Sequence, residues 1–360
     1  MKTATLTFHA SHNYGSMLQA YALQQTLFSL GVENEIVNLR IDSQKQMYAR
    51  PRVASKKFIL AKTLRGLQKK HDLFEDFLKG QLKLTREISD PSELGSLADS
   101  YDLFIAGSDQ IWNPECTDFT FAYFMPFADK RISYATSFGP HGKAVWQEAW
   151  RIKPELLKYK AISVREQGSA DIVERLTGIG PEILPDPVVL PGKAHWEAFA
   201  GENPIREGRY IFTYHPFPRH GFAKLSEKAG KMLGLDNVTS LVKPTLASVM
   251  SHRRFEKKLD CGSKEFLNLI RHSELVISGS FHAVLFAILF ERPFFAVCGK
   301  GDNRISHLLK VTGLEERMCD EESLASSLGN CREIDFSKAR EALETLRGKG
   351  IDYLKKHCAV

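Results

Sequence analysis

A chain of 360 residues is long enough for two domains of ordinary size, each with its own hydrophobic core. Hydrophobic residues make up 43% of the chain and charged residues 26%, and the formal net charge is +6. No apolar run reaches the roughly 18 residues of a membrane span. This composition favours a soluble globular protein. The first residues lack the apolar core of a secretory signal, and the six cysteines lack the spacing of a metal site or a CxxC pair. We therefore expect reduced thiols, no bound metal and a cytoplasmic location.

The first part of the chain alternates between strand and helix patterns. Residues 4–8 and 35–39 are apolar strand patterns, and residues 16–30 between them form a helix pattern that ends at Gly31. Three later strand patterns each end in polar residues, and they cover residues 101–106, 131–135 and 161–164. Because the carboxyl ends of parallel strands meet at one edge of a sheet, this repetition predicts a binding cleft.

Residues 45–86 carry most of the excess positive charge. They contain twelve Lys or Arg residues but only three acidic ones, and we expect a helix from about residue 56 to residue 78. The simplest interpretation is a solvated helical face. A surface that meets anionic lipid or a charged glycan is the alternative, and it would place the protein peripherally at the inner face of the membrane. Aromatic residues are not interleaved as stacking platforms, so we expect no nucleic-acid partner.

Two prolines in three residues, in Pro185-Asp186-Pro187, fix an extended path and predict a domain boundary. The second half then repeats the alternation, with strand patterns at 210–215 and 237–242 and helix patterns at 222–232 and 264–272. The predicted division is a first domain over 1–185 with a basic helical insertion at 45–86, a second domain over 186–335, and a final helix over 336–360 that packs back on the first domain. Two such α/β halves predict paired Rossmann-like domains around a cleft.

The most informative stretch of the second half is residues 274–297. A strand at 275–277, a Ser-Gly-Ser turn, a helix at 283–290 and a further strand form the βα unit of a parallel sheet. His282 falls at the carboxyl end of the first strand, beside the unpaired N–H groups and the positive dipole of the helix. We interpret this as an anion site with a proton donor at its edge, and a histidine that caps its own helix is the alternative.

Seven segments follow one another along the chain: NYGSMLQAYALQ, GSDQIWNP, SYATSFG, SVREQGS, DPVVL, SFHAVLFAILFERPF and NRISHLL. Together they cover most of the chain and resemble the polysaccharide pyruvyl transferase family. The resemblance implies a fold like that of two-domain GT-B glycosyltransferases, with the active site in the cleft between the domains. It also implies transfer of a pyruvyl group from phosphoenolpyruvate to sugar hydroxyls, which forms a pyruvate ketal and needs no cofactor beyond that co-substrate. The acceptor would be a surface glycan or its lipid-linked or nucleotide-linked precursor.

Phosphoenolpyruvate is a small trianion, so its site needs cations or N–H groups, and ketal formation needs a proton donor for the methylene carbon. The predicted catalytic residues are His282 as the general acid and Asp109, which would activate or orient an acceptor hydroxyl. The predicted donor-binding residues are Arg165, Ser280, Phe281, Lys300, Asn303 and Arg304. The predicted acceptor-binding residues are His12, Asn13, Tyr14, Gly15, Ser108, Gln110, Trp112 and Ser137. Alternatives are a salt bridge of Arg165 to Glu166 or Asp186, and a turn-forming, backbone-bonded Asp109.

The chain departs from the family pattern at one position. Many members carry Asp-Arg-Leu-His at the histidine, whereas this chain has Gly279-Ser280-Phe281-His282, so serine stands at the arginine position. Arg304 or Lys300 would have to compensate if phosphoenolpyruvate is the donor. This departure leaves two alternatives open, a GT-B-like glycosyltransferase that uses a nucleotide sugar and a non-catalytic glycan-binding member of an assembly complex.

Overall fold

The computed structural model describes residues 1–52, 58–140, 142–216, 222–235, 237–241, 255–298, 303–320 and 334–358. The strands in these residues are β1 (Lys2–Leu6), β2 (Glu33–Ile36), β3 (Leu103–Ala106), β4 (Arg131–Ser133), β5 (Ser163–Val164), β6 (Glu182–Ile183), β7 (Ile211–Tyr214), β8 (Val238–Leu241), β9 (Glu256–Lys258), β10 (Leu275–Ser278), β11 (Phe294–Val297) and β12 (Met318–Cys319). The helices are α1 (Tyr14–Ser29), α2 (Asp42–Met47), α3 (Phe58–Gln81), α4 (Lys143–Gln147), α5 (Ala149–Leu156), α6 (Gln167–Thr177), α7 (Lys193–Ala200), α8 (Phe222–Leu233), α9 (Ser263–Arg271), α10 (Phe281–Leu289), α11 (Asn303–Thr312) and α12 (Ser337–Cys358). Segments of 3₁₀ helix lie at Pro91–Ser100, Phe121–Phe124, Pro187–Val189 and Glu315–Arg317.

The chain divides into two compact units, and each of them is discontinuous in sequence. The first unit contains Met1–Ala49, Asp76–Gly192 and Leu343–Val360, and the second contains Arg50–Glu75 and Lys193–Ala342. Each unit has its own hydrophobic core, which is built on its own parallel sheet. The expected α/β class with two Rossmann-like units is therefore observed.

The sheet of the first unit has the strand order β2-β1-β3-β4, and all of its strand pairs are parallel. The four residues of β3 are apolar and buried, as expected for a parallel strand that is covered on both faces. Single backbone bridges of Ile132 with Ala161 and of Thr136 with Val164 connect the β4 region to β5. The strand order reverses between β1 and β3, and such a reversal is the switch point at which doubly wound sheets bind ligands.

The sheet of the second unit has the order β12-β11-β10-β7-β8-β9, again with parallel pairs throughout. The chain runs outward from β7 to β9, returns to the middle, and runs outward again from β10 to β12. This is the strand order of a dinucleotide-binding Rossmann sheet, although no GxGxxG motif accompanies it. Its switch point lies between β7 and β10, at the start of the βα unit that contains His282.

The first unit continues to Gly192, beyond the Pro185-Asp186-Pro187 segment at which the sequence predicted a domain boundary. Asp186 ties this segment to the first unit with both carboxylate oxygens. One oxygen accepts the Val188 N–H at 3.1 Å, and the other lies 2.7 Å from Nη1 of Arg165. Prolines impose an extended path inside a domain as well as between domains, which explains why the pattern alone placed the boundary several residues too early.

The final helix, α12, returns to the first unit from Leu343 onward. The Tyr353 hydroxyl donates to the carbonyl oxygen of Ser133 at 2.9 Å, at the end of β4. Gly350 allows a close approach, because a Cβ at this position would lie 2.7 Å from Cδ2 of Leu190. Helix α12 is thus part of the layer that covers the first sheet.

The basic segment is divided between the two units rather than forming an insertion in the first. Its central part packs in the second unit, where a Cβ at Gly66 would lie 3.3 Å from Cβ of Leu259 and Lys69 pairs with Asp260 at 3.0 Å. Ion pairs also neutralise part of its charge, and they join Arg50 to Asp72, Lys45 to Glu87 and Arg86 to Glu93. In the part of the chain that the structure describes, no helix is both long and apolar enough to cross a bilayer.

Candidate functional site

The switch point of the second sheet brings the ends of β7 and β10 together. Ser278 at the end of β10 is in register with Tyr214 at the end of β7, and the Ser278 hydroxyl donates to the Tyr214 carbonyl. Helix α10 begins at Phe281, with Ser280 as its extended N-cap residue. His282 therefore lies within the first helical turn and is only 8% exposed, whereas the sequence pattern placed it just before the helix. A first turn has unpaired backbone N–H groups and the positive end of the helix dipole, which suit an anion.

A second histidine, His215, follows β7 directly and lies against the backbone of Gly279. A Cβ at Gly279 would overlap the His215 ring and would lie 2.7 Å from the carbonyl oxygen of Val297. Glycine is required here by the close approach of two neighbours. The sequence prediction did not select His215, although the strand pattern at 210–215 ends on it. A polar residue at the end of a predicted buried strand was the available signal.

We expect Gly279→Ala to destabilise the protein by about 1–3 kcal/mol, the usual cost of forcing extra atoms into a packed site. The His215 ring can move away from the new methyl group, but the Val297 carbonyl is held in β11 and cannot. Thermal unfolding would measure the change, and the imidazole NMR signals of His215 should shift with it. Gly348→Ala is the matched control, because a Cβ at Gly348 would meet no atom within 4 Å. Equal stability of the two variants would contradict the close packing.

The other predicted donor-binding residues surround this turn or begin the next helix. Ser280 is nearly buried, and its N–H donates to the Ser278 hydroxyl oxygen at 3.1 Å. The Phe281 ring lies edge-on to the His282 ring, with 5.2 Å between the ring centroids. Asn303 and Arg304 form the first turn of α11, which packs against α10, and Asn303 is exposed while Arg304 is half-buried. Lys300 lies outside the described residues.

Asp109 lies at the switch point of the first sheet, three residues after the end of β3. One of its carboxylate oxygens accepts the Ser16 hydroxyl at 2.5 Å, and the other accepts the Gln110 N–H at 2.9 Å. The backbone-bonded aspartate that the sequence left as an alternative is therefore present. Ser16, on the first turn of α1, was not predicted as a site residue. Its contact joins the loops that follow β1 and β3.

Backbone strain is concentrated at the carboxyl edge of the first sheet. Among the described residues, the non-glycine positions with positive φ are His12, Asp109, Met125, Ala135 and Glu291. Three of these, His12, Asp109 and Ala135, follow β1, β3 and β4, which are neighbours in the sheet. Such strain persists only where the surroundings hold it, and it is frequent at functional sites. It marks this edge as a candidate site independently of residue chemistry.

Arg165 is buried among carboxylates at the end of β5. Its guanidinium lies 2.7 Å from Asp186, 3.5 Å from Glu166 and 4.0 Å from Asp109. Burial acts to lower the pKa of Arg165, but these carboxylates outweigh it and raise the pKa above its ordinary value. The salt bridge that the sequence left as an alternative is thus what the structure contains, and it orients Arg165 towards Asp109 rather than towards solvent.

A rim of more accessible groups surrounds the loop after β1. Asn13 is exposed, and its side-chain oxygen accepts the Gly15 N–H at 3.0 Å at the start of α1. The half-buried His12 ring lies over Tyr48, with 5.2 Å between the ring centroids, and the Tyr48 hydroxyl donates to Asp118 at 2.8 Å. Burial raises the pKa of both the Tyr48 hydroxyl and the Asp118 carboxyl. Tyr48 and Asp118 were not predicted, because they come from separate segments with no motif.

Five of the predicted acceptor-binding residues are buried and have structural contacts instead. Tyr14 and Gly15 are packed within α1, and the Ser108 hydroxyl donates to the Ala135 carbonyl at 2.8 Å. Trp112 has no exposed surface; it stacks on Phe124 and donates its indole N–H to the Tyr123 carbonyl. The Ser137 hydroxyl donates to Glu166 at 2.8 Å. Trp112 thus lies in the core of this unit, where an aromatic residue from a polar loop can anchor that loop.

Gln110 remains partly accessible, and Gly139 fixes its position. A Cβ at Gly139 would lie 2.7 Å from the Gln110 side-chain oxygen, which also accepts from Asn113 Nδ2 at 3.1 Å. The positive φ of Gly139 is a second reason for glycine. Of the eight predicted acceptor-binding residues, His12, Asn13 and Gln110 are thus the ones with side chains that a ligand can reach.

Two α/β units, each with a candidate site at the switch point of its parallel sheet, define a GT-B-like protein, and solved structures share this fold. The chain is similar to UDP-GlcNAc 2-epimerase from Neisseria meningitidis bound to UDP-GlcNAc over 99% of both chains, with a TM-score of 0.59 and 10% identity. Over 100% of this chain and 98% of the other, it is similar to MnaA from S. aureus in a co-structure with UDP, with a TM-score of 0.58 and 11% identity. Similarity to the glycosyltransferase AviGT4, involved in avilamycin A biosynthesis, covers 99% and 97% of the two chains, with a TM-score of 0.51 and 10% identity. The predicted GT-B-like fold is confirmed.

The chain belongs to the polysaccharide pyruvyl transferase family, whose model matches residues 13–297. No curated protein sequence is significantly similar to it. The family match confirms the resemblance found in the seven sequence segments. The individual site residues, and a site in a cleft between the two domains, remain predictions.

Proposed function

We propose that this cytoplasmic protein transfers a pyruvyl group from phosphoenolpyruvate to two hydroxyl groups of a sugar. The product is a cyclic pyruvate ketal on a surface glycan, or on its lipid-linked or nucleotide-linked precursor. Family membership supports this class of reaction. The structural observation that carries the proposal is the position of His282, buried in the first turn of α10 at the switch point of the second sheet. Backbone N–H groups there offer hydrogen bonds to phosphate or carboxylate, and the imidazole offers a proton.

In the proposed reaction His282 donates its proton to the methylene carbon, which becomes a methyl group. One sugar hydroxyl attacks the adjacent carbon, and the bond from that carbon to the phosphate oxygen breaks. The second hydroxyl then closes the ketal ring, so that two C–O bonds have formed and inorganic phosphate has left. One hydroxyl proton restores His282, and the other leaves with phosphate or solvent. General acid catalysis of the first step contributes roughly 10²–10⁴-fold in rate.

Serine at position 280 changes how the donor would be held. Ser280 cannot supply the positive charge of the arginine found at this position in many family members, so the anion must rely on the α10 N–H groups, on His215 and on cations of α11. Arg304, in the first turn of α11, is the described cation that best fits this role because α11 packs against α10. His215, which lies against Gly279, would add a hydrogen-bond donor for the anion.

The acceptor is proposed to bind at the first-unit switch point. Asp109 is fixed by Ser16 and by the Gln110 N–H, and a carboxylate held in this way can accept or orient a hydroxyl proton. Asn13, His12 and Gln110 provide reachable groups that hydrogen-bond to sugar hydroxyls. Each is at the carboxyl end of β1 or β3, on either side of the switch point.

A nucleotide sugar is the second candidate ligand. The S. aureus and N. meningitidis proteins of similar fold were solved with UDP and UDP-GlcNAc. A nucleotide-linked sugar could therefore serve as the acceptor, or as the donor of a glycosyl transfer.

Thermal shift and calorimetric titration would separate these ligands. We expect saturable stabilisation by phosphoenolpyruvate, rising to about 2.7 kcal/mol at a hundredfold excess over the Kd. Arg304→Ala should weaken it, whereas the control Lys310→Ala, at the exposed last turn of the same helix, should not. Stabilisation by UDP-GlcNAc with no response to phosphoenolpyruvate would favour glycosyl transfer. No response to either ligand would favour a non-catalytic glycan-binding protein.

A further inference from the structure

Two of the four tryptophans are exposed, and they are close together in sequence. Trp146 in α4 is 45% exposed and Trp150 in α5 is 77% exposed, whereas Trp112 and Trp196 have no exposed surface. Large aromatic side chains are rarely left in water without a partner, because burying them is strongly favourable. Neither exposed tryptophan has a part in the proposed reaction.

Exposed residues recur along α4 and α5. Trp146 lies in α4, Trp150 and Lys153 lie in α5, and Leu157 directly follows α5; all four are exposed, and we call them the stripe. The opposite face is in the core of the first unit and carries Val145, Ile152, Leu156 and Tyr159. A helix pair with one apolar face already in the core would ordinarily have a polar outer face. This one instead exposes two tryptophans and a leucine.

The stripe lies in a positively charged surrounding. Residues 142–160 contain five Lys or Arg and two Glu residues, and both acids are already paired. Glu148 pairs with Arg151, and Glu155 pairs with Arg131 and Lys158. Lys153 and Lys160 are exposed in the same segment. The segment that carries the tryptophans therefore has a net positive charge, and α6, which packs against α5, adds the exposed acids Asp171 and Glu174.

We propose that this face of α4 and α5 docks on an anionic lipid bilayer. Tryptophan is enriched at the level of lipid headgroups, and lysines beside it reach anionic phosphates while their stems cover apolar surface. A protein partner, or a second copy of this chain, fits less well, because lysine is depleted in protein–protein interfaces. The surface differs from the basic segment at residues 45–86, part of whose charge is taken up by ion pairs.

Tryptophan fluorescence of the full chain tests this directly, because the buried Trp112 and Trp196 act as an internal reference. Vesicles of phosphatidylcholine with phosphatidylglycerol should shift the emission to shorter wavelength and protect Trp146 and Trp150 from acrylamide. Vesicles of phosphatidylcholine alone should do so weakly, and added salt should reduce the effect. Absence of any shift or sedimentation with the anionic vesicles would overturn the proposal.

Substitutions test which surface of the protein binds the vesicles. The double variant Trp146→Ala, Trp150→Ala should lower vesicle binding roughly tenfold or more, as expected from losing two interfacial aromatics. Lys153→Glu should lower it further and weaken its salt dependence. Ile179→Ala, which removes an exposed apolar side chain elsewhere in the first unit, and Lys79→Glu, in α3, are the controls and should bind like the unsubstituted protein.

Three results would count against the proposal. Unchanged binding of the double tryptophan variant would exclude this face, and a loss in Lys79→Glu instead would assign binding to the basic segment. A fluorescence shift that follows protein concentration without lipid, together with a dimer on size exclusion, would assign the stripe to a second copy. Thermal unfolding of each variant checks that the exposed substitutions leave the fold intact. None of these measurements depends on pyruvyl transfer.

Discussion

Replacing His282 with glutamine is expected to lower the rate of pyruvyl transfer by about 10²–10⁴-fold, since general acid catalysis contributes this much. Glutamine approximates the size of histidine and can still donate a hydrogen bond, but it cannot give up a proton to carbon. Phosphoenolpyruvate should therefore still bind, and kcat and kcat/KM should fall by the same factor, as expected when an interaction made only in the transition state is removed. Release of inorganic phosphate in the presence of acceptor measures the rate, and the thermal shift measures binding.

His272→Gln is the matched control, because His272 is a half-buried histidine at the end of α9, away from the switch point. It should retain normal activity. Near-normal turnover of His282→Gln would remove the general-acid role. Loss of both binding and turnover in this variant would instead indicate that His282 holds the donor.

Replacing Arg165 with methionine is expected to destabilise the first unit by about 3–5 kcal/mol at neutral pH, the usual cost of leaving a buried charge without its partner. Methionine fills much of the arginine volume, so that the missing charge, rather than a cavity, is tested. Asp186, Glu166 and Asp109 would then repel one another in a buried site. Calorimetry should resolve the transition of the first unit from that of the second.

The destabilisation should depend on pH in a definite direction. Without the guanidinium, burial and mutual repulsion disfavour the charged forms of these carboxyls in the folded variant. A group whose pKa is raised on folding stabilises the protein below its unfolded pKa and loses that contribution as pH rises through the folded pKa. The loss in Arg165→Met should therefore be smaller at pH 5 than at pH 8. Arg86→Met, which breaks the exposed pair with Glu93, should cost at most about 1 kcal/mol at either pH.

The alternation of elements was predictable because the buried parallel strands are nearly continuous apolar runs. The strands at 101–106 and 275–277 correspond to β3 and β10, and a four-residue apolar run leaves little choice of structure. The short strands β6, β9 and β12 were missed, because two or three residues carry no periodicity. The division of the chain between the two units could not be predicted either. It depends on which sheet a helix packs against, and neither composition nor spacing encodes that.

The sequence predicted where the candidate site residues lie in the sheets, but not their contacts. A polar residue after an apolar strand identified the His282 turn and the Asp109 loop, since strand topology alone sends both to a sheet edge. The sequence pattern could not distinguish Gln110, whose side chain a ligand can reach, from Trp112, which lies in the core two residues later. Ser16, Tyr48 and Asp118 were beyond prediction because their roles come from long-range contacts. His215 lay at the end of a predicted strand, but only its packing against Gly279 shows why it matters.

The discontinuity of the first unit has a consequence for the order in which the protein can be made. Strands β1 to β6 are synthesised early, but the core of this unit also includes Tyr353, Leu354 and Cys358 of α12. Most of the second unit, Lys193–Ala342, is synthesised in between, and its core lies within that part. Part of the apolar surface of β1 to β6 therefore stays uncovered while the second unit is synthesised and folds. A nascent chain arrested before α12 emerges should bind chaperones that recognise exposed apolar surface, and release of the last helix should end that binding.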